Sequence, residues 1–286
     1  MKKSIIIFAL TLIGVSAFSF GANAQEKESN FTYEVGADVV TSYLWRGQNL
    51  GGLSIQPSVT LGWRGLYVSG WANIGADNWK FEELNPEIDI TIGYDNYGFK
   101  LDLTHLYYFY GDKYFKGLED ANNKFSESTM ELHAGIDIGE WTNFVPLTLD
   151  WYTTVLGYDP VLDDNGGLVL NKNGNAKRAY STYIELGYDI NLPLDIVLGL
   201  KVGFTPWKGM FSEYKEVWKN GQTVGLNNLQ LRAEREFELN NIYLNVWGEA
   251  MFNCYGVTKD NIIKTFGEAA SQKLNARIGL GVYFGN

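Results

Sequence analysis

Cysteine, histidine and basic residues are all scarce in this sequence. It contains one cysteine, Cys254, and two histidines, His105 and His133. A single cysteine excludes an internal disulfide and no Cys/His cluster is available for metal, so we expect neither a metal site nor a cofactor. Lys and Arg number 23 against 33 Asp and Glu, which gives a net charge of −10. Because an acidic protein repels phosphate, nucleic acid is not an expected partner.

Long apolar runs are missing after the first 24 residues, and we therefore expect no transmembrane helix in the rest of the chain. The chain begins MKKSIIIFALTLIGVSAFSFGANA, where two lysines precede an apolar stretch that is short for a membrane span. Ala22-Asn23-Ala24 is a small-x-small cleavage signal. Residues 1–24 are therefore predicted to be a cleaved signal peptide, with an anchor helix as the alternative, and residues 25–286 a single domain.

Alternation of apolar and polar residues is the dominant pattern in the predicted mature chain. In Leu53–Trp63, LSIQPSVTLGW, the odd positions are apolar and the even positions are polar or glycine. Side chains of a strand alternate between faces, so such a strand has one apolar and one polar face. About twelve segments show this pattern, most of them long enough for the 9 to 11 residues of a membrane-spanning strand. These segments are 31–46, 53–63, 66–75, 83–94, 98–110, 126–138, 144–157, 178–190, 194–206, 226–237, 241–252 and 273–284.

The connections between these segments alternate in length. The short ones are 64–65, 95–97, 139–143, 191–193 and 238–240, and the longest are 111–125, 158–177, 207–225 and 253–272. Short turns at one end and long loops at the other are typical of outer-membrane barrels. We therefore predict an all-β fold, an antiparallel transmembrane β-barrel of about 12 strands in the outer membrane of a Gram-negative bacterium. Its short turns, and both termini, are predicted to be periplasmic, and its long loops extracellular.

Aromatic residues distinguish this barrel from a soluble β-sandwich or another secreted β-protein, whose strands alternate in the same way. On the apolar face they cluster at the strand ends, as in the two aromatic girdles of a membrane barrel. The predicted periplasmic ring is Phe31, Tyr33, Trp63, Tyr94, Phe99, Tyr188, Phe237 and Phe284, and the predicted outer ring is Tyr43, Trp45, Tyr107, Phe109, Tyr180, Phe204 and Phe252. The same alternation predicts that Trp45 faces lipid while its neighbour Arg46 faces the lumen.

A family resemblance appears in this part of the chain. SYLWRGQ, followed by IQPSVTLGW, GLYVSGWANIG and NPEIDITIGYD, resembles the start of the TorF-like porin family of outer-membrane proteins. The resemblance is strongest over residues 36–110 and implies a porin.

The polar face carries the residues that we expect to line the lumen. Its acidic excess predicts a narrow, cation-preferring pore, because rings of carboxylates favour cations. In the alternative, the charges pair across the lumen and close it, leaving a structural or surface-interaction barrel that acts through its loops. The predicted pore-lining residues are Glu34, Asp38, Arg46, Glu87, Asp89, Asp102, Glu131, His133, Asp150, Glu185, Arg232, Glu234, Trp247 and Arg277.

The predicted function is passive diffusion of small polar solutes, cationic or neutral, through this porin-like channel. Expected partners are outer-membrane lipid, these solutes and, during biogenesis, the barrel-assembly machinery. An outer-membrane hydrolase is a further alternative, but neither G-x-S-x-G nor H-E-x-x-H is present. The alternation also places His105 on the lipid side and His133 on the lumen side, so we expect no catalytic site and no enzyme.

Overall fold

The computed structural model describes residues 30–75, 86–108, 128–142, 144–157, 159–161, 163, 168–212, 224–253 and 273–286. The predicted signal peptide, Phe109 and Cys254 lie outside the described residues. Within the described ranges, no helix is long and apolar enough to cross a membrane.

Twelve antiparallel strands form a closed barrel. They are β1 (Phe31–Val40), β4 (Ser54–Trp63), β5 (Leu66–Gly75), β6 (Glu87–Asn96), β7 (Phe99–Tyr108), β8 (Ser128–Asp137), β9 (Leu147–Gly157), β10 (Thr182–Leu192), β11 (Ile196–Thr205), β12 (Gly225–Leu239), β13 (Ile242–Phe252) and β14 (Leu274–Gly285). A separate two-stranded sheet pairs β2 (Tyr43–Trp45) with β3 (Gln48–Gly51). The short helix α1 (Ile138–Thr142) and a 3₁₀ turn (Met210–Ser212) complete the described elements.

The barrel is an up-and-down meander in which each barrel strand pairs with the next one in the chain. It closes between the first and last strands, where Val35 lies opposite Phe284 and Val39 opposite Leu280. The predicted antiparallel barrel of about 12 strands is therefore confirmed. Eleven of the predicted segments each overlap one barrel strand, with ends that differ by a few residues.

The outer face of the barrel is apolar and the inner face is polar. Ile92 and Ile278 are 61% and 65% exposed on the outside, whereas Gln56 and Asn275 are buried inside. A water-soluble protein would bury the apolar face, and a continuous exposed apolar surface of this kind marks the face that contacts lipid. The alternation read from the sequence thus corresponds to a lipid side and a lumen side.

The short connections gather at one end of the barrel, which we call the short-turn end. Most of them are tight turns, but the connection from β8 to β9, predicted as 139–143, contains α1. In Arg64-Gly65 and Tyr97-Gly98 both residues have positive φ, the backbone conformation that suits the twist of a two-residue hairpin. The first barrel strand begins and the last finishes at this end, where the amide of Tyr33 donates to Oδ1 of Asn286 at 3.0 Å. The opposite end, where the longer connections lie, is called the long-connection end below.

The predicted first strand, 31–46, is wrong beyond Val40. The barrel strand ends there, and residues 43–51 form the β2–β3 hairpin, because Arg46 and Gly47 have φ of 47° and 85° and reverse the chain. Tyr43 is only 8% exposed and packs on Trp71, with ring centroids 5.7 Å apart. Neither Tyr43 nor Trp45 therefore lies on the lipid face.

The predicted aromatic rings are present to different degrees. At the short-turn end, exposed outward-facing members of the ring are Phe31, Trp63, Phe99, Tyr188 and Phe237. At the other end Tyr180 and Phe252 are exposed and Tyr107 is buried. The outer ring is therefore less complete among the described residues than the sequence predicted.

Candidate functional site: the lumen and its hairpin

The β2–β3 hairpin extends into the lumen, where its tip contacts the barrel wall at β13 and, through Arg46, at β8. At its tip, the amide of Gly47 donates to Sδ of Met251 on β13 at 3.0 Å, and the carbonyl of Gly47 accepts from Nδ2 of Asn253 at 3.0 Å. A Cβ at position 47 would lie 2.6 Å from the carbonyl oxygen of Asn227. Glycine at this position therefore allows both the turn and the close approach to the wall.

The base of the hairpin is attached to the strand that neighbours β1. Oγ of Ser42 donates to the carbonyl of Ala276 at 3.4 Å, and Nδ2 of Asn49 donates to Oδ1 of Asn275 at 3.3 Å. Leu44, which lies opposite Asn49 in the hairpin, is only 3% exposed. The hairpin is thus held at both ends and packed along its length, which narrows the lumen at the long-connection end.

Arg46, at the tip, is buried and paired. Its Nη1 and Nη2 donate to Oε2 and Oε1 of Glu131 at 2.6 and 2.7 Å. Such a bidentate pair matches the planar guanidinium fork to the two carboxylate oxygens. Each of the two side chains is 8% exposed. A buried charge needs such a partner, because burying an unpaired charge destabilises the folded protein by several kcal/mol.

Four aromatic rings complete the surroundings of the Arg46 guanidinium. Its Cζ lies 4.2 Å from the ring centroid of Tyr152, 4.6 Å from Trp45, 4.8 Å from Phe211 and 4.9 Å from Tyr183. The negative faces of aromatic rings attract a cation at these distances. We call Glu131 together with these four rings the guanidinium cage.

Most of the cage belongs to the barrel wall. Glu131, Tyr152 and Tyr183 stand on the adjacent strands β8, β9 and β10, and the β8–β9 register shifts beside Glu131. Such a bulge re-aims the side chain next to it. The hydroxyl of Tyr183 donates to Oε2 of Glu185 at 2.8 Å, which fixes that ring.

Phe211 is held in the cage by its own set of hydrogen bonds. Nδ2 of Asn227 donates to the carbonyl of Phe211, and the amide of Met210 donates to Oγ of Ser181 at 2.7 Å. Ser181 in turn donates through its amide and hydroxyl to Asp159. Burial raises the pKa of the Asp159 carboxyl, and these donors oppose that effect. The 3₁₀ turn is therefore anchored to the chain that leads into β10.

A cavity of about 640 Å³ lies in the lumen beside the cage. Its lining includes Leu44, Trp45 and Arg46 of the hairpin and continues toward the short-turn end as far as Asp189 and Val197. Its charged lining consists of six carboxylates and four basic groups: Asp89, Glu131, Glu185, Asp189, Glu234 and Glu249, with Arg46, Lys201, Arg232 and Arg277. The cavity is therefore polar and has an acidic excess.

The basic groups of the cavity are all paired. Besides Arg46, Nζ of Lys201 lies 2.8 Å from Glu185, Nε of Arg232 2.8 Å from Glu234, and Nε of Arg277 3.0 Å from Glu249. Among the residues that the structure describes, Asp89 and Asp189 have no basic partner. Oδ1 of Asp89 is buried and has no hydrogen-bond partner there. Asp89 and Asp189 are thus the two acidic groups of the cavity that form no ion pair with a described residue.

Trp247 separates two of the arginines. The Cζ atoms of Arg232 and Arg277 lie 4.0 and 4.9 Å from its ring. Its Nε1 donates to Oδ1 of Asp38 at 3.2 Å, and the ring lies directly against Gly279, where a Cβ would collide with it. Tyr283 donates its hydroxyl to the same Asp38. Trp247 therefore fills and braces the wall between cations.

His133 forms a second polar network in the wall. Its Nδ1 lies 2.8 Å from Oδ2 of Asp102 and its Nε2 lies 2.8 Å from Oδ1 of Asp150. The hydroxyl of Tyr67 donates to Asp102 at 2.8 Å, and the His133 ring stacks on Tyr152 with centroids 4.2 Å apart. Two carboxylate neighbours fit a doubly protonated imidazolium. This network therefore supports the Tyr152 ring, which also contacts Arg46.

All fourteen predicted pore-lining residues lie on the inward face or on the hairpin. Those that border the cavity are Arg46, Asp89, Glu131, Glu185, Arg232, Glu234 and Arg277. The others stand apart from it: Asp38 and Trp247 bond to each other, Asp102, His133 and Asp150 form the histidine network, Glu87 is buried, and Glu34 is near the short-turn end. That they line a conducting path stays a prediction.

The sequence does not predict Tyr183 and Phe211 as members of the cage, and the prediction that Trp45, a third member, faces lipid is wrong. Tyr183 is in phase with Glu185 on its strand, so the alternation contained the signal for an inward ring. Phe211 lies in a long connection without alternation, and no sequence signal points to it. Its place in the cage depends on the hydrogen bonds of the folded barrel.

The chain belongs to the family described as "Bacterial protein of unknown function (Gcw_chp)", whose model matches residues 24–235. No curated protein matches the chain. These matches do not bear on the TorF-like resemblance, which stays a prediction.

Several solved outer-membrane barrels overlap with the chain at low similarity. The NanC porin is 10% identical, with a TM-score of 0.44 over 88% of this chain and 98% of that one. An outer-membrane channel from Pseudomonas putida F1 is 11% identical, with a TM-score of 0.41 over 94% and 100%. Outer membrane phospholipase A from Escherichia coli is 12% identical, with a TM-score of 0.36 over 89% and 92%. At scores this low the overlaps carry no argument about function.

Proposed function

We propose that the protein is a narrow outer-membrane channel for passive diffusion of small polar solutes, with a preference for cations. It would span the outer membrane of a Gram-negative bacterium with its short turns in the periplasm. Insertion would depend on the barrel-assembly machinery. The resemblance of residues 36–110 to the TorF-like porin family agrees with this proposal.

The observation that carries the proposal is the charged cavity inside a barrel with an apolar outer face. Charged side chains in a membrane protein are costly unless they face water or one another, and here they border a space of about 640 Å³. A barrel needed only for structure could fill its interior with smaller polar side chains. A water-accessible, charged interior is the arrangement that a channel requires.

The preference for cations follows from the charge balance. The four basic groups of the cavity are all engaged with carboxylates, and Asp89 and Asp189 are left without a basic partner among the described residues. A permeating cation would therefore meet net negative charge between the cage and the short-turn end.

The hairpin favours a second candidate, a barrel closed at rest. Around its tip Leu44, Tyr183 and Met251 have almost no exposed surface. A barrel that stays closed would act through its loops as a structural or surface-interaction protein. The two candidates therefore differ in whether the hairpin ever leaves the position described here.

The surroundings of the two histidines favour a transport protein over a hydrolase. Both ring nitrogens of His133 lie at hydrogen-bond distance from carboxylates, so neither is available as a base for a nucleophile. His105 stands on the outward-facing phase of β7 and stacks with Tyr107. We propose on this basis that the protein is not an enzyme.

The test is single-channel recording of the refolded mature protein, residues 25–286, in a planar bilayer under a KCl gradient. A small conductance whose reversal potential lies on the cation side is the expected result. A barrel that is inserted, as judged by heat-modifiable migration in SDS gels, yet carries no current would exclude a constitutive channel and favour the closed barrel.

A further inference from the structure

We propose that the guanidinium cage is a recognition site for solutes that carry a guanidinium group, and that Arg46 occupies this site as a built-in ligand. This inference rests on the proposed channel function and gives it a solute class. The solute would exchange with Arg46 during passage through the lumen.

The chemistry of the cage is specific for a planar organic cation. Glu131 presents both carboxylate oxygens to the two guanidinium nitrogens, at 2.6 and 2.7 Å, and a spherical ion has no such pair of donors. The rings of Tyr152, Tyr183 and Phe211 present faces at 4.2 to 4.9 Å, a distance at which they attract a cation. No group of three or more metal-binding side chains is found within the described ranges.

The site and its present occupant belong to different elements of the fold. Glu131, Tyr152 and Tyr183 stand on the rigid barrel wall, and the bound guanidinium comes from the tip of the β2–β3 hairpin. Exchange of Arg46 for a solute thus requires movement of the hairpin and leaves the hydrogen-bonded barrel intact. Trp45, the fourth ring, moves together with Arg46.

The cage is also placed on a route for cations. Arg46, Glu131, Tyr152 and Tyr183 all border the cavity of about 640 Å³ that extends toward the short-turn end. Asp89 borders the same cavity, and its buried Oδ1 lacks a hydrogen-bond partner among the described residues. A solute cation in the cavity therefore meets a second acidic side chain, one of whose oxygens is free to accept a hydrogen bond.

Arg46→Ala tests the proposal because it empties the cage and leaves Glu131 and the rings of Tyr152, Tyr183 and Phe211 in place. Its conductance is recorded in a planar bilayer while guanidinium chloride replaces KCl at constant ionic strength. We expect guanidinium to block the vacated site, with a roughly tenfold loss of current at about ten times the half-blocking concentration, as for a single site. Urea, which has a similar planar shape and no charge, is expected to have no effect.

Two variants separate the cage from general effects of guanidinium. Arg46→Ala combined with Glu131→Gln removes the carboxylate, so the block should disappear. Asn49→Ala loosens the base of the hairpin by removing its hydrogen bond to Asn275 but leaves Arg46 in the cage. This matched control should show no more block by guanidinium than the wild-type protein.

A second readout keeps this proposal separate from the proposed channel function. In detergent, low concentrations of guanidinium should raise the thermal unfolding midpoint of Arg46→Ala above its value in equal KCl, and should not do so after Glu131→Gln. If no variant conducts while this shift is present, the channel function fails and the cage stands. If Arg46→Ala conducts but guanidinium acts no differently from K⁺ in both assays, the cage proposal is wrong.

Arg46→Lys serves as the substitute if Arg46→Ala does not refold. A lysine keeps the positive charge but cannot form the bidentate pair, so added guanidinium should displace it from Glu131. The same current and melting titrations apply, with weaker responses expected because the amine competes. The absence of any response would overturn the proposal.

Discussion

At the scale of single residues, the lumen is made by glycine positions that accept aromatic rings. Tyr183 has no exposed surface and lies against Gly203, while Trp247 lies against Gly279 in the same manner. A ring that lies flat over a glycine restores the contacts that the missing side chain would have made. The inner wall therefore alternates bare backbone with large rings rather than carrying side chains of uniform size.

Gly203→Ala tests this arrangement. A Cβ there would collide with the Tyr183 ring, which is buried and has no room to shift, so we expect a loss of about 1–3 kcal/mol in stability. Gly248→Ala is the matched control, because a Cβ at that position has no neighbour within 4 Å. Thermal unfolding in detergent, followed by tryptophan fluorescence, measures both. Equal midpoints for the two variants would contradict this account of Tyr183.

His133 is the second residue whose surroundings allow a prediction. It separates Asp102 and Asp150, and its side chain and that of Asp102 are 7% and 4% exposed. His133→Leu leaves these two carboxylates without their shared cation, and we expect a loss of about 3–5 kcal/mol, as for other broken buried pairs. Adding Asp150→Asn to His133→Leu should recover part of this loss. A double variant no more stable than His133→Leu alone would show that the histidine contributes by packing against Tyr152.

At the scale of secondary-structure elements, the β2–β3 hairpin is the part that departs from a simple barrel. The contacts of its tip with Met251, Asn253 and Glu131 hold it across the lumen. These contacts are few compared with the continuous ladders of the barrel strands. The hairpin can therefore change position without breaking the strand ladders of the barrel.

Gly47→Ala is expected to displace the hairpin tip. The φ of 85° disfavours any side chain, and the new Cβ would lie 2.6 Å from the carbonyl oxygen of Asn227. If the hairpin forms the constriction, single-channel conductance should rise while the barrel still folds. Gly51→Ala in the same hairpin is the control, since its Cβ would be 3.8 Å from Cβ of Tyr43, an ordinary contact. Unchanged conductance in a folded Gly47→Ala barrel would show that the hairpin does not form the constriction.

At the scale of the whole molecule, the charge distribution of the lumen sets the expected selectivity. The electric field of a paired group is largely cancelled by its partner, whereas Asp89 and Asp189 border the cavity and form no ion pair with a described residue. Cation preference should therefore depend on these two residues more than on the larger number of acids that form ion pairs.

Asp89→Asn together with Asp189→Asn should move the reversal potential in a KCl gradient toward zero. Asparagine has nearly the same shape as aspartate but no charge, so the two substitutions remove the negative charge without leaving a void. Asp195→Asn is a control for charge outside the lumen, because that side chain is 90% exposed and lies in a short turn. A reversal potential that shifts equally in the control would mean that surface charge, rather than the lumen, sets the selectivity.

The sequence alone was sufficient for most of the barrel. Alternation over segments such as 53–63 predicts both the strand and its two faces, because neighbouring side chains of a strand point to opposite sides. The dipeptide Arg64-Gly65 is predicted to be a turn, and Arg46-Gly47 has the same two residues and similar positive φ values. The turn at 46–47 was therefore readable, but the alternation that continues through VTSYLWR concealed it.

The tertiary structure decides which residues Arg46 contacts once the chain has turned. Arg46 pairs with Glu131, which is 85 positions away in the chain, and Phe211 joins them from a connection without any pattern. Periodicity is a local property of a strand, whereas these contacts exist only once β8, β9 and β10 are side by side in a closed barrel. The sequence by itself thus determined the strands and their faces, and barrel closure determined which charges meet and where the lumen narrows.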